Sequence, residues 1–276
     1  MSQAVPEPID AERAQFLKRF EHFGSEPSAE SYLALFHPEA TLFDDGMEHP
    51  IGVAEIPAHI EGVLALVKGF RMQPERSRAR GKHVMVEAYN RGEVAGHAVS
   101  WRAVYRIELE GSRVRDGRRY FDRAALLAVV DPATPSVSPR LAPDAPETRA
   151  PAGAVPGRAL APADFVGACA DAWREGRPET LTSLYREDGS IALPGLAALG
   201  GPSLGAAYRK LALLLGGARL TPRAWTGDDT LLFIEWEGDL AGGARFGAIE
   251  RFDRTGGLAL ASRWYFETGA LARALG

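Results

Sequence analysis

Cysteine, lysine and late histidines are all scarce in this chain of 276 residues. Cys169 is the only cysteine, which excludes an internal disulfide and a cysteine metal cluster and fits a reducing compartment. The six histidines all precede residue 98 and show no tight ligand spacing, so we expect no metal site. Of the 32 basic residues only four are lysine, which together with the many Ala, Gly and Pro residues indicates a GC-rich bacterial genome.

Long apolar runs and an excess of positive charge are missing as well. No stretch reaches the roughly 18 apolar residues of a membrane span, and the first residues lack the basic and apolar regions of a secretion signal. We therefore expect a cytoplasmic protein. The net charge of -4 disfavours nucleic acid and anionic lipid as partners. The 46% apolar and 25% charged residues that are present are typical of a folded chain with a sizeable core.

Proline is concentrated in one segment that divides the chain. Residues 131–160 are rich in Pro and Ala and contain few large apolar side chains, so we predict a linker without a core of its own. It separates a first domain, residues 1–130, from a second, residues 161–276. The flanking halves repeat weakly: FHPEAT (36–41) matches YREDGS (185–190), and RRYFD (118–122) matches SRWYFE (262–267). The common order of these matches predicts a duplicated domain.

Each half changes its apolar period along its length. Helical spacing comes first, with buried stripes predicted at Phe16, Phe20 and Phe23 and at Phe165, Cys169 and Trp173. A short helix and a third helix follow in each half, at 32–36 and 56–67 and at 181–185 and 204–215. Alternation then takes over, as in VSWRAVYRIEL (99–109). The pattern predicts an α+β fold in which three helices pack on a curved antiparallel sheet in each half.

Three segments of the first half carry a family resemblance. LFHPEATLFDDG (35–46), GVAEIPAHI (52–60) and RRYFDRAALLAVV (118–130) resemble the nuclear transport factor 2-like superfamily. Within that superfamily they resemble the SnoaL-like branch, which includes polyketide cyclases, ketosteroid isomerases and epoxide hydrolases. The resemblance covers residues 10–130 well and 160–276 more loosely. It implies a cone with one apolar pocket in each domain and a pairing of the two halves as an internal pseudo-dimer, with further oligomerisation left open.

The resemblance places Asp44 where isomerase-like members carry a proton-shuttling aspartate. Burial in an apolar cone would penalise the charged carboxylate and raise its pKa towards the range of a general base. The alternative is that Asp44 or Asp45 caps the turn beside Gly46. Phe16 and Phe20 stand near the position of the tyrosine that ketosteroid isomerases use as a donor, which speaks against steroid isomerisation.

Asp122 matches the aspartate that acts as general acid and base in SnoaL-like polyketide cyclases, and Glu267 holds the equivalent position of the second half. The two-residue spacing would put Tyr120 and Asp122 on one face of the last strand, where both could reach a ligand. The alternatives are a surface carboxylate paired with Arg119 or Arg123, or a cap where the chain leaves the sheet.

Four further residues are candidate ligand contacts. Trp101 and Tyr105 share a strand face and are expected to line either the pocket or the core. His49 and His59 flank the segment after Asp44, where a histidine could donate to a ligand or shuttle a proton near neutral pH. The alternative for each histidine is a solvated or structural role.

These residues indicate a cofactor-independent acid–base enzyme for a small apolar organic molecule, with cyclisation preferred over isomerisation or epoxide hydrolysis. Asp44 and Asp122 would act in the first domain. The second half is apolar where the first carries Asp44, and we expect it to be a structural partner, although Glu250 and Glu267 leave a second pocket open. Epoxide hydrolysis would need an Asp-Arg-Asp constellation, which the sequence does not place in matching frames. The competing class is a non-catalytic ligand-binding or interaction module. Dinucleotide and phosphate-loop motifs are absent from the sequence, so no cofactor is expected.

Overall fold

The chain forms two compact units, which we describe from a computed structural model covering residues 8–44, 47–137, 159–240 and 243–275. The first unit comprises Met1–Phe121 with Leu126–Pro132, and the second Asp122–Ala125 with Ala133–Gly276. Asp45 and Gly46, proposed above as a turn, lie outside the described residues, as does most of the predicted linker.

The first unit begins with three helices that are interrupted by two strands. The helices are α1 (Pro8–Ser25), α2 (Ala29–Leu33) and α3 (Ile56–Leu66), and the interrupting strands are β1 (Phe36–Asp44) and β2 (Ile51–Gly52). Four longer strands follow: β3 (Lys68–Arg80), β4 (His83–Val94), β5 (His97–Glu110) and β6 (Arg113–Tyr120). A short helix, α4 (Arg123–Leu127), straddles the boundary between the units.

The second unit repeats this order. It contains α5 (Pro162–Arg174), a 3₁₀ helix (Pro178–Leu184), β7 (Tyr185–Ala192), β8 (Leu199–Gly200) and α6 (Pro202–Leu214). These are followed by β9 (Thr221–Gly227), β10 (Leu231–Asp239), β11 (Arg245–Thr255), β12 (Leu258–Tyr265) and α7 (Thr268–Leu275).

Each unit contains its own sheet, and the two sheets have the same topology. Within the described residues each sheet has six strands, in the order β2-β1-β6-β5-β4-β3 in the first unit and β8-β7-β12-β11-β10-β9 in the second. The pairs β1–β6 and β7–β12 run parallel, and the other neighbours run antiparallel. The predicted α+β class and the tandem arrangement are confirmed.

The sequence patterns explain both cores. Phe16, Phe20 and Phe23 are 0–2% exposed on α1, and on α5 the equivalent stripe of Phe165, Cys169 and Trp173 is 0–1% exposed. The predicted helical stripes are therefore the buried faces. The hairpins β5–β6 and β11–β12 turn at Gly111 and Gly256, with φ of +59° and +56°, a region that glycine enters without steric cost.

The predicted linker is more structured at its start than its composition indicates. Val137 is fully buried in the core of the second unit. At the far end of the segment the Leu160 N–H donates to the Gly257 carbonyl at 3.3 Å, and Arg254 donates to the Leu160 carbonyl at 2.6 Å. Single apolar residues can be buried by a neighbouring unit even where a segment builds no core of its own, so this corrects the expectation that the segment is a linker throughout.

Candidate functional site

Three side chains of the first unit lie in a row across neighbouring strands. Asp44, the last residue of β1, is in register with Arg119 of β6, and Arg119 is in register with Tyr105 of β5. Residues directly opposite each other on adjacent strands project to the same face of a sheet. Tyr105 belongs to the apolar core, so the row faces the interior of the unit.

The Asp44 carboxylate is held between two basic side chains. Arg119 Nε donates to Oδ1 at 3.0 Å, and Arg119 Nη2 donates to Oδ2. His59 Nε2 lies 3.1 Å from Oδ2. Asp44 and Arg119 are 5% and 8% exposed, whereas the His59 side chain is 22% exposed. His59 is therefore the most solvent-exposed of the three side chains.

Helix α3 fixes the position of His59. Pro57 stands in the first turn of this helix, where its preset φ favours the helical conformation. Ile56 and Ile60, four residues apart on one helix face, are buried, so the turn that carries His59 is anchored against the core next to the end of β1.

The surroundings of Asp44 lower its pKa rather than raise it. Burial alone would raise the pKa of the carboxyl group, but the charge of Arg119 and the hydrogen bonds from His59 and Arg119 outweigh it, so the pKa lies below its ordinary value. This corrects the prediction of a raised pKa. Asp44 is ionised at neutral pH and is a poor proton acceptor there.

Two buried tyrosines lie beside the ion pair. The Tyr105 hydroxyl donates to Asn90 Oδ1 at 3.4 Å, and burial raises the pKa of both Tyr105 and Tyr32, which keeps both hydroxyls protonated at neutral pH. Both rings line an apolar cavity of about 20 Å³ with Phe16 and Phe20, which is room for about one water molecule.

The remaining ligand-contact candidates of the first unit lie elsewhere. Trp101 is half-buried and packs against Phe70 and Phe121, with ring centroids 6.0 and 6.2 Å apart. His49 is exposed in the segment before β2. Tyr120 is buried, but it follows Arg119 on β6 and therefore projects from the opposite face of the strand.

Asp122 belongs to the second unit. Strand β6 ends at Tyr120, so Asp122 lies beyond the strand, and the prediction that it shares a strand face with Tyr120 is wrong. Its Oδ1 accepts from the Thr268 hydroxyl at 2.7 Å and from the Ala125 N–H at 3.3 Å. Asp44 and Asp122 thus belong to different compact units, and a joint catalytic role of the two carboxylates stays a prediction.

Glu267 makes the reciprocal contacts in the second unit. Its carboxylate accepts from the N–H groups of Arg123 and Ala124 at 2.9 and 3.1 Å and from that of Gly269 at 2.9 Å. It therefore caps the first turns of both α4 and α7, whose N–H groups lack partners within their helices. Burial raises the pKa of Asp122 and of Glu267. The two acids act as a pair of helix caps.

Arg119 is the functional residue that the sequence patterns did not assign to the site. Its position between Asp44 of β1 and Tyr105 of β5 became visible only through the register of these strands with β6. With Asp44 it forms an Asp–Arg pair, where the sequence frames had shown none.

Two features are absent from the described part of the chain. His, Cys, Asp and Glu side chains there form no group of three or more that could hold a metal ion. None of the described helices is both long and apolar enough to cross a bilayer.

Residues 15–117 match the family model of the SnoaL-like domain, which is less than half of the chain and most of the first unit. Among solved structures, the chain is similar to a putative SnoaL-like polyketide cyclase from Jannaschia sp. CCS1, with 15% identity, 46% of this chain and 96% of that chain covered, and a TM-score of 0.40. An epoxide hydrolase of M. tuberculosis described as LEH-like shares 19% identity over 45% of this chain and 98% of that one, with a TM-score of 0.36.

A protein from Catenulispora acidiphila with a ketosteroid isomerase-like fold, solved in complex with trimethylamine, shares 16% identity over 41% of this chain and 89% of that one, with a TM-score of 0.38. At identities this low, similarity to these structures does not imply that the chain has the same activity. The chain matches no curated protein.

Proposed function

We propose that the first unit, which contains a SnoaL-like domain, is a cofactor-independent acid–base site for a small, largely apolar organic molecule, with polyketide-type cyclisation or isomerisation as its reaction. The observation that carries this proposal is the buried Asp44 carboxylate, which joins Arg119 to the partly exposed His59. One carboxylate thus holds a permanent cation and an imidazole at the edge of an apolar core.

His59 is the proton-transferring residue in this arrangement. An ionised carboxylate only accepts hydrogen bonds, so the hydrogen of the 3.1 Å contact sits on His59 Nε2 and Nδ1 is left as the proton acceptor. His59 would take a proton from a carbon next to a carbonyl group while the electron pair moves to the carbonyl oxygen. In isomerisation of a β,γ-unsaturated ketone, it would then return the proton to the γ-carbon of the dienolate, and the electron pair on oxygen would re-form the carbonyl group.

Asp44 acts through His59 as a positioning residue. It fixes the tautomer of the imidazole and stabilises the imidazolium that forms after proton transfer, the role of a buried aspartate beside a catalytic histidine. The lowered pKa of Asp44, which Arg119 and His59 hold down against burial, supports this role over that of a general base.

Tyr105 would supply a hydrogen-bond donor for the enolate oxygen once its hydroxyl hydrogen turns from Asn90 Oδ1 to that oxygen. Burial raises the pKa of its hydroxyl, so the group stays a donor at neutral pH, and a donor in a buried site stabilises developing negative charge more than it would in water. Arg119, in register with Tyr105, adds positive charge next to that oxygen.

A non-catalytic binding module is the second candidate, and the cavity of about 20 Å³ favours it. A substrate of several carbon atoms fits there only after Phe16 and Phe20 move, whereas a module that merely packs or sequesters a very small molecule needs no such opening.

A proton-exchange experiment with cyclohexanone in D₂O tests the proposal without a known substrate. Loss of the ¹H NMR signal of the protons next to the carbonyl should exceed the buffer rate with the wild type. We expect His59→Gln to reduce this exchange by at least about 10²-fold, the usual contribution of a general base, and Asp44→Asn to reduce it as well.

The matched control is Asp116→Asn. Asp116 is paired with the buried Arg106 at 2.6 Å in the same unit and also has a lowered pKa, because Arg106 and Thr41 outweigh its burial. This variant should keep the full exchange rate. Exchange no faster than in buffer, or unaffected by His59→Gln, would contradict the catalytic proposal, and saturable binding of cyclohexanone without exchange would support the binding module.

A further inference from the structure

Two arginines of the first unit lie directly opposite each other on the outer face of its sheet. Arg71 of β3 is in register with Arg91 of β4, and Arg91 is in register with Ser100 of β5. Ser100 and Tyr105 are five residues apart on one strand, so they project from opposite faces, and Tyr105 faces the apolar core. The three residues Arg71, Arg91 and Ser100, called the arginine row below, are all exposed. The row is therefore separate from the Asp44 site.

A β-bulge in β3 creates this arrangement. Lys68 pairs with Glu93, but Arg71 pairs with Arg91, so β3 contains one residue more than β4 over this stretch. Gly69, within the stretch, has a φ of +62°, which glycine adopts without steric cost. Without the extra residue, Arg71 would project from the face that packs on the core. The bulge thus turns the Arg71 side chain to the same face as Arg91.

The two acidic residues that flank the arginine row face other cations. Glu75 accepts hydrogen bonds from Arg102 at 2.8 and 3.1 Å, one to each of its oxygens. Glu93 is in register with Lys68, and opposite charges at such a position stabilise a strand pair. Neither acid is therefore available to neutralise the row.

Neither arginine of the row has a carboxylate partner among the described residues. Arg71 donates to the Phe70 carbonyl at 2.7 Å, and the Arg91 side chain makes no hydrogen bond or ion pair within the described ranges. Like charges directly opposite each other on neighbouring strands destabilise a sheet. An anion held between the two guanidinium groups would remove this repulsion and would accept from their N–H groups.

A groove of about 580 Å³ lies over the arginine row. Its lining includes the three residues of the row and Tyr89. The volume falls within the range of small-molecule sites, about 300–1,000 Å³, and is far more than a single inorganic ion needs. Tyr89 is half-buried, and the Arg102 guanidinium lies over its ring at 5.4 Å. The groove thus offers an aromatic surface beside the two free guanidinium groups.

The second unit carries opposite charges at the equivalent place. Aligning β5 with β11 at Tyr105 and Glu250 makes β4 and β10 correspond as well. Arg91 then corresponds to Asp239, whose partner on β11 is Arg245. Because a pair of opposite charges stabilises neighbouring strands without a ligand, the repulsive arginine pair is a feature of the first unit and not of the repeated fold.

We propose that the groove over the arginine row binds a small organic phosphate, with Arg71 and Arg91 holding the phosphate group between them, Ser100 donating its hydroxyl hydrogen to it, and the organic part lying against Tyr89. Two guanidinium groups match the charge of a phosphate monoester, which is about −1.5 to −2 at pH 7, whereas a carboxylate carries a single charge. Arginine is also the side chain whose planar fork fits phosphate oxygens. Because the row is exposed, the affinity falls as the salt concentration rises.

Titration with phenyl phosphate, followed by ¹H–¹⁵N NMR at constant ionic strength, tests this assignment. We expect the backbone N–H signals of Arg71, Arg91 and Ser100 to shift and to reach saturation. Benzoate carries the same ring but a smaller charge and one oxygen fewer for the donors, so it should bind about tenfold more weakly. Inorganic phosphate should shift the same signals but bind more weakly than phenyl phosphate, because it makes no contact with Tyr89.

Variants separate the row from a general attraction of anions. Arg71→Gln and Arg91→Gln should each weaken phenyl phosphate binding about tenfold, since each removes one cation and its hydrogen bonds. Arg91→Lys keeps the charge without the planar fork and should lose less affinity than Arg91→Gln. The matched control is Arg115→Gln, which removes an arginine of β6 that is paired with Glu39 at 2.7 Å and should leave the affinity unchanged.

Three results would overturn the assignment. Equal affinities for phenyl phosphate and benzoate, or an equal loss with Arg115→Gln, would indicate unspecific attraction of anions. Equal affinities for phenyl phosphate and inorganic phosphate would assign the row to the free ion. Shifts that do not saturate with any of the three probes would show that the groove holds no phosphate. The cyclohexanone exchange experiment is unaffected by each of these outcomes, because the arginine row and the Asp44 site lie on opposite faces of the sheet.

Discussion

Asp44 and Arg119 lie directly opposite each other on the parallel strands β1 and β6, and the guanidinium donates to both oxygens of the carboxylate. Both groups are largely buried. A buried pair of this kind gains little over a well-packed apolar pair, but removing one partner leaves an uncompensated charge in the interior. Replacing either partner alone should therefore destabilise the first unit.

Asp44→Asn should lower the free energy of unfolding of the first unit by about 3–5 kcal/mol at pH 7, because it leaves the Arg119 guanidinium buried without its counter-charge. Urea unfolding followed by circular dichroism measures this loss. A loss below about 1 kcal/mol would show that the pair is open to solvent.

The difference in the free energy of unfolding between the wild type and Asp44→Asn should decrease at low pH. The pKa of Asp44 is lowered in the folded state, so its stabilisation is complete above the unfolded pKa of about 3.9 and disappears as the pH falls through the lower folded value. The gap between wild type and Asp44→Asn should therefore be constant from pH 7 to 5 and shrink below pH 4. A gap that narrows already between pH 7 and 6 would contradict the lowered pKa.

Arg119→Met should reverse the direction of the Asp44 shift. Without the guanidinium, burial becomes the dominant influence and the pKa of Asp44 should rise above its ordinary value. Carboxyl-carbon NMR titration, with Asp44→Asn assigning the resonance, measures the change. Arg106→Met, which removes the partner of Asp116 in the same unit, should leave the Asp44 resonance unchanged.

Apolar periodicity predicted the first three helices of each half and the longer strands, because burial of an apolar stripe or strand face is visible in the spacing of residues such as Phe16 and Phe20. The short helices α4 and α7 were not predicted. The boundaries were less accurate. Phe36, predicted in the second helix, starts β1, since a five-residue helix and the strand after it share too few residues to show separate periods.

The contacts of the candidate site could not be predicted from residue spacing alone. Asp44 and His59 were predicted as candidates, but the ion pair with Arg119 brings together residues 75 positions apart through strand register. That partner also reverses the direction of the pKa shift. Similarly, the sequence named Glu250 as a residue that leaves a second pocket open, but its contact with Tyr208, 42 positions away, required the packing of α6 on the sheet.

Asp122→Asn distinguishes a helix cap from a catalytic acid. The Asp122 carboxylate accepts from the Thr268 hydroxyl at 2.7 Å, so we expect a loss of about 1 kcal/mol in the free energy of unfolding of the second unit, typical of a cap. The cyclohexanone exchange rate should stay at the wild-type value. Thr268→Val removes the same hydrogen bond and should cause a similar loss, whereas a large fall in exchange with Asp122→Asn alone would support the catalytic prediction.

Glu250 should make the second unit less stable as the pH rises. Its folded pKa of about 8 lies above the ordinary 4.5, so between these values the folded state binds one proton more than the unfolded state. The free energy of unfolding should then fall by up to about 1.4 kcal/mol per pH unit and level off above pH 8.

Tryptophan fluorescence during urea unfolding reports this change, because Trp173, Trp225, Trp236 and Trp264 belong to the second unit. Glu250→Gln, which is neutral at every pH, should remove the slope between pH 5 and 8 and leave the acid limb of Asp44 in place. The two carboxyl groups would then show opposite pH dependences within one chain, because Arg119 accompanies one and only neutral donors accompany the other. An unchanged slope in Glu250→Gln would mean that Glu250 is already ionised in the folded protein, which would contradict its raised pKa.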